Sequence, residues 1–144
     1  VTLIDPSFTS SYLVLEQGGK KIGLTAVLGD RNQKMIQNDE VQLRDAAEGI
    51  QAVWPKLAAA RCDLYVLIAH ATTGESVALG QKFPQFQVVV TTGGAGEPTI
   101  APDPIKGTSC KLIQIGTKGM YAGVIALFDD PAVVGQLRDL GFDR

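Results

Sequence analysis

The sequence predicts an α/β fold: a mixed β-sheet of the sandwich type with flanking helices. Three observations predict it. Short apolar runs alternate along the chain with one long stretch of helical period. The run Leu64 to Ala69 is apolar throughout, as in a strand buried on both faces of a mainly parallel sheet. Glycine- and proline-bearing segments separate these runs at the spacing of loops. With 144 residues, 45% hydrophobic and 19% charged, the chain suits one folding unit, residues 1–144, with no internal repeat and no linker.

Tyr12 to Glu16 reads as a short strand, and Gln17-Gly18-Gly19-Lys20 as a hairpin turn, because paired glycines supply the positive φ such turns need. Lys21 to Leu28 is the returning strand, ended by Gly29-Asp30. Asn38 or Asp39 can cap the following helix. That helix has the clearest period in the chain: Leu43, Ala46, Ala47, Ile50, Val53, Trp54 and Leu57 share one face, and Arg44, Asp45, Glu48 and Gln51 take the other. Pro55 should kink or divide it.

A strand from Asp63 to His70 follows at once. Thr72 or Thr73 can cap a short helix through Gln81, and Pro84 precedes a strand from Phe86 to Val90. Gly93 to Gly107 is a loop rich in glycine and proline. Lys111–Ile115 and Tyr121–Phe128 flank Gly116-Thr117-Lys118-Gly119 and are expected to form an antiparallel hairpin. Pro131, followed by Val133, Val134, Leu137 and Leu140, predicts a terminal helix.

Composition excludes several functions. The net charge is −2 and the isoelectric point about 5.3, with scattered Lys and Arg, so there is no basic footprint for nucleic acid. The apolar runs are too short to span a bilayer. Cys62 and Cys110 are expected to be small core residues, and with the single histidine they have no zinc-finger spacing. Ser76 and Ser109 have no histidine partner in motif context, and Thr73-Gly74-Glu75-Ser76 lacks the lysine of a phosphate loop.

Two features remain that could carry chemistry. His70 is the only histidine and ends a strand; the loop Gly93-Gly94-Ala95-Gly96-Glu97 follows another. Open α/β sheets place their sites at the carboxyl ends of strands, so His70 and this loop are expected to converge. Gly93, Gly94 and Gly96 could cradle an anion, since glycine lets backbone N–H groups approach a ligand closely; a plain turn is the competing reading. For His70 the competing reading is a strand-end histidine bonded to a nearby carbonyl, and for Glu97 a solvated loop carboxylate.

Five segments follow one another: Gly19-Lys20-Lys21-Ile22-Gly23, Asp63 through His70, Gln87 through Gly94, Gly107-Thr108 with Lys111-Leu112-Ile113-Gln114-Ile115-Gly116, and Lys118-Gly119-Met120-Tyr121-Ala122-Gly123. In order and spacing, over nearly the whole chain, this set resembles the 5'-nucleotidase branch of the calcineurin-like metallophosphoesterases. The resemblance implies the C-terminal half of an α/β/β/α sandwich, with His70 matching a metal-ligand histidine. The family's Gly-His-Ser-His element becomes Gly94-Ala95-Gly96-Glu97 here; Ala95 cannot bind metal, whereas Glu97 can replace imidazole as a hard ligand. The upstream Asp-x-His, Gly-Asp and Gly-Asn-His segments have no match. A two-metal phosphoesterase holds its ions about 3.5–4 Å apart with several His and Asp ligands, which one histidine and one carboxylate do not supply.

The resemblance therefore implies a degenerate site, with His70 and Glu97 as metal residues and Gly93, Gly94 and Gly96 as substrate-binding residues. A divalent metal such as manganese or zinc and a metal-free chain are both left open. The implied partners are a small phosphate ester or nucleotide and other domains of a longer parent protein, and the implied location is periplasmic or extracellular. Two alternatives stand beside this: a non-catalytic binding or scaffolding module that kept the fold, and an unrelated α/β protein that binds nucleotides at the Gly93 loop without metal.

Overall fold

The computed structural model describes residues 9–94, 97–116, 122–130 and 132–133. Among these residues the elements follow in the order β1 (Leu13–Gln17), β2 (Lys20–Leu28), α1 (Asp30–Gln33), α2 (Ala46–Ala59), β3 (Leu64–Thr72), α3 (Thr73–Lys82), β4 (Val88–Gly93), β5 (Asp103–Pro104) and β6 (Lys111–Gln114). The six strands form one mixed sheet in the order β1-β2-β3-β4-β6-β5. Its four middle strands run parallel, and β1 and β5 run antiparallel at the two edges. The α/β class and the mixed sheet with flanking helices are therefore as the sequence predicts.

The β1–β2 hairpin turns through Gly18 and Gly19, at φ 58° and 75°, the left-handed conformation that glycine adopts without cost. One face of the sheet is closed by helices. Ile50 and Leu57 from α2 and Leu79 from α3 pack with Leu67, Ala69, Val89 and Leu112 in a single apolar cluster. Trp54 meets Tyr65 and Phe86 edge-on, with ring centroids 5.0 Å and 5.5 Å apart. On the opposite face Leu64, Val66 and Val88 form a smaller cluster with Ile22, Leu24, Val90 and Ile113. The segment 122–130 crosses that face, from Gly123 beside Ile113 to Asp129 beside Lys20. Farther along the same face Ile68 is 38% exposed, so β3 is not buried on both sides over its whole length.

Several local expectations are corrected. The long helix starts at Ala46 under an Asp45 cap that accepts from the Glu48 N–H, so neither Asn38 nor Asp39 caps it and Leu43 lies outside it. Asp45 is the acceptor three residues before a free helical N–H, which is the position that decides a cap. The helix runs through Pro55 as one piece; Ile50 and Leu57, both buried, anchor it on either side of the lost hydrogen bond. The short helix α1 had no sequence signal.

The expected hairpin between Lys111–Ile115 and Tyr121–Phe128 is not formed. Both edges of β6 are already occupied, by β4 and by β5, and residues 122–130 carry no regular secondary structure. Phe86 belongs to the turn before β4 rather than to the strand, with its N–H donating to the Phe83 carbonyl. Of the terminal helix only Ala132 and Val133 are described, as helical; Pro131, Val134, Leu137 and Leu140 lie outside the described residues. Both cysteines are free thiols, Cys110 buried and Cys62 half-buried, and burial pushes both upward in pKa.

Candidate functional site

His70 is not at the end of its strand. β3 continues to Thr72, and the pairing with β4 shifts register between Ala69 and Thr72. This irregularity lies next to His70, where an extra residue bends the strand and re-aims its side chains. The imidazole is exposed, and its Nδ1 lies 2.7 Å from the Thr92 hydroxyl oxygen on β4. When Nδ1 carries the proton and the hydroxyl accepts, Nε2 presents a lone pair; a hydroxyl donating to Nδ1 gives the opposite tautomer. The competing expectation of a bond from the ring to a carbonyl is not what holds it. Instead the His70 carbonyl is the acceptor, taking the Gly29 N–H and the Asn32 side-chain amide, each at 2.9 Å.

These bonds gather the end of β2, the start of α1 and the ends of β3 and β4 around one cleft of about 300 Å³. Arg31, Asn32 and Met35 line one side, and His70, Thr92, Gly93 and Gly94 line the other. The predicted convergence of His70 with the Gly93 loop is thus observed. A neighbouring hollow of about 360 Å³, lined by Asp30, Gln33, Lys34, Leu43 and Asp45, contains none of the predicted site residues. The smaller cleft holds the imidazole and the strand ends, so it is the chemical candidate.

Glu75 builds the wall of this cleft from behind. Its carboxylate accepts the Arg31 N–H at 3.0 Å, and the Thr72 N–H and Thr72 hydroxyl at 2.8 Å each. The Thr72 hydroxyl in turn accepts the Glu75 N–H, completing a capping box on α3. The Arg31 backbone donor, followed by the Thr72 donors, holds the Glu75 carboxyl below the usual carboxylate range. Beneath the cleft Ser76 donates to Thr91, whose hydroxyl donates to the Ala71 carbonyl and accepts the Gly93 N–H. Both hydroxyls are fully buried, and each is satisfied.

The glycines have steric reasons to be there. A Cβ on Gly93 would overlap the Ala71 carbonyl oxygen, because β3 and β4 pinch together at the irregularity. A Cβ on Gly29 would stand 2.6 Å from Ala71 Cβ and 2.9 Å from Glu75 Oε2. Gly93 and Gly94 line the cleft, but the Gly93 N–H is turned inward to Thr91. Gly96 lies outside the described residues, and Glu97 is exposed and is not among the residues lining the cleft. Among the described residues no three His, Cys, Asp or Glu side chains gather to hold a metal ion. The donor set of the described residues does not fit a two-metal centre. Sequence reasoning missed Arg31, Asn32, Glu75 and Thr92; the Thr-x-x-Glu spacing of a capping box was the one signal available, for Glu75.

No protein-family model and no curated sequence matches the chain. Solved structures do. A hypothetical protein from Thermus thermophilus superposes with a TM-score of 0.56 at 20% identity, over 90% of this chain and 47% of its own. A 5'-nucleotidase precursor from the same organism gives 0.58 at 21% identity, over 72% of this chain and 24% of its own. The NAD nucleotidase of Haemophilus influenzae gives 0.57 at 17% identity, over 73% of this chain and 24% of its own. The chain thus spans less than half the length of these structures. At these identities the likeness is one of fold: this chain shares the fold of part of a 5'-nucleotidase precursor, an NAD nucleotidase and a hypothetical protein.

Proposed function

We propose that the chain is a 5'-nucleotidase-like metallophosphoesterase domain, equivalent to the C-terminal half of the family's catalytic unit, whose cleft binds a small phosphate ester or nucleotide without hydrolysing it unaided. The observation that carries this is the cleft at the carboxyl ends of β3 and β4: His70 is held there by Thr92, but no set of three metal ligands accompanies it among the described residues. His70 can donate to or accept from a phosphate oxygen, Arg31 can supply charge, and Asn32 and Glu75 hold the walls still. A nucleotidase precursor among the structures of like fold supports an exported location, periplasmic or extracellular. No described helix is long and apolar enough to cross a membrane.

A second reading is that a longer parent supplies the remaining ligands and restores metal-assisted hydrolysis, with His70 and Glu97 as this chain's contribution. The partial coverage of the solved structures favours keeping it. A metal, if so completed, would supply Lewis-acid charge stabilisation at the ester.

One experiment separates the readings. The purified chain is loaded with manganese or zinc and desalted, its metal content is measured by elemental analysis, and nucleoside monophosphate binding is followed by calorimetry, with His70→Ala as control. Substoichiometric metal together with monophosphate binding supports the binding module. Near-stoichiometric metal that disappears in His70→Ala supports a surviving metal site. No monophosphate binding sinks the binding module, and a longer parent whose metal content is unchanged by His70→Ala sinks the second reading.

A further inference from the structure

We infer that Arg31 is the anion-recognising residue of the cleft, and that it selects the phosphate end of a monoester whose organic group rests on Met35. This inference rests on the proposed reading of the cleft as a phosphate-ester site and assigns the residue that reads the ligand.

Arg31 is the only formally charged residue among those lining the cleft. Among the described residues the ion pairs involve Lys20 alone, so the Arg31 guanidinium has no carboxylate partner there. Two acidic residues stand beside Arg31, Asp30 in sequence and Glu75 through the backbone bond. Glu75 spends both oxygens on the Arg31 and Thr72 N–H groups and the Thr72 hydroxyl, and Asp30 lines the neighbouring hollow instead. Arg31 therefore supplies the positive charge among the described residues that line the cleft.

Its backbone is fixed although its side chain is exposed. The Arg31 N–H is held by Glu75 at 3.0 Å, and the next residue, Asn32, is tied to the His70 carbonyl at 2.9 Å. A guanidinium on a fixed stem offers a planar fork that matches two phosphate oxygens at once. Across the cleft stands the hydrogen-bonded pair of His70 and Thr92, which leaves one donor for a further phosphate oxygen, the Thr92 hydroxyl or the His70 Nε2–H according to the tautomer. Met35, four residues beyond Arg31, lines the same cleft and is 67% exposed, which gives a polarisable apolar surface for a base or other planar group. Where the fold's usual cations lack ligands, a guanidinium can carry the charge that binds the ester.

The test is calorimetric titration of the whole chain in EDTA with a nucleoside monophosphate, the matching nucleoside and inorganic phosphate, on the parent, Arg31→Gln and Arg31→Lys. Far-UV circular dichroism verifies that the variants fold. The parent should prefer the monophosphate to the nucleoside, Arg31→Gln should lose about 10- to 100-fold in monophosphate affinity, and Arg31→Lys should recover part of it. Nucleoside affinity should be unchanged in both variants. Monophosphate binding that survives Arg31→Gln intact would overturn the assignment of Arg31 while leaving the cleft a phosphate-ester site. Binding that appears only when manganese or zinc replaces EDTA would overturn the idea that Arg31 stands in for a cation. A parent that binds none of the three ligands, with or without metal, would overturn the reading of the cleft itself.

Discussion

Glu75 accepts hydrogen bonds from two separate segments, the Arg31 backbone and both donors of Thr72, and its negative charge is what allows it to take all of them. Glu75→Gln would turn an amide NH₂ toward one of these donors. It should cost about 0.5–1.5 kcal/mol in urea denaturation at neutral pH, the range of one net hydrogen bond, because these donors are exposed or half-buried. The pH dependence has a definite sign. The folded-state pKa is depressed below the ordinary value of 4.5, so the carboxylate's contribution is complete above 4.5 and is lost as pH falls through the lower folded value. The variant should therefore show a shallower acid loss of stability than the parent; equal slopes would mean that Glu75 is not the group responsible. Gly93→Ala forces a Cβ into the Ala71 carbonyl, backbone against backbone, and should destabilise by about 2 kcal/mol or more. His70 was legible at this scale because it is the single histidine beside an apolar run. Arg31 and Thr92 were not, because their roles depend on which strand ends become neighbours.

Among the elements, α2 tests how far local rules reach. Its apolar period was plain in Ile50 and Leu57, yet its start was misjudged, because several acidic and amide residues before it could all serve as caps and only packing chooses Asp45. Pro55 sits exposed in the helix interior. Pro55→Ala restores an N–H for the Gln51 carbonyl and should stabilise the chain by about 1–2 kcal/mol, the helical gain being partly offset by a freer unfolded chain. The check is the denaturation midpoint at unchanged m-value; a lower midpoint would mean that the proline is packed into its place. The failed hairpin has a different origin. Lys111–Gln114 does form a strand, but sequence adjacency does not say that β4 and β5 reach its edges first.

For the whole molecule, the two faces of the sheet differ in how they are closed. Helices α2 and α3 pack on one, with Phe86 wholly buried against Trp54. Phe86→Ala should cost about 3–5 kcal/mol, as for other buried aromatic truncations, and Trp54 fluorescence reports the transition. A loss below about 1 kcal/mol would show that α2 does not depend on this contact. The class of fold, the parallel centre of the sheet and the meeting of His70 with the Gly93 loop were all legible, since each follows from alternation of apolar runs and from the rule for strand ends. The gathering of α1 into the cleft was not legible, because a helix of four residues leaves no periodic trace.

The sheet's two borders have unlike futures. On one side β5 is only Asp103–Pro104, too short and, at the proline, too poor in N–H donors to template another strand. On the other, β1 offers five residues with Leu13 and Leu15 exposed and, among the described residues, no neighbour beyond it. Among the described residues β1 is the border suited to receive a further strand, so lengthening of this sheet is expected there. A lysine placed in β1 should therefore reduce self-association more than one placed in β5, as read by light scattering under mild heating.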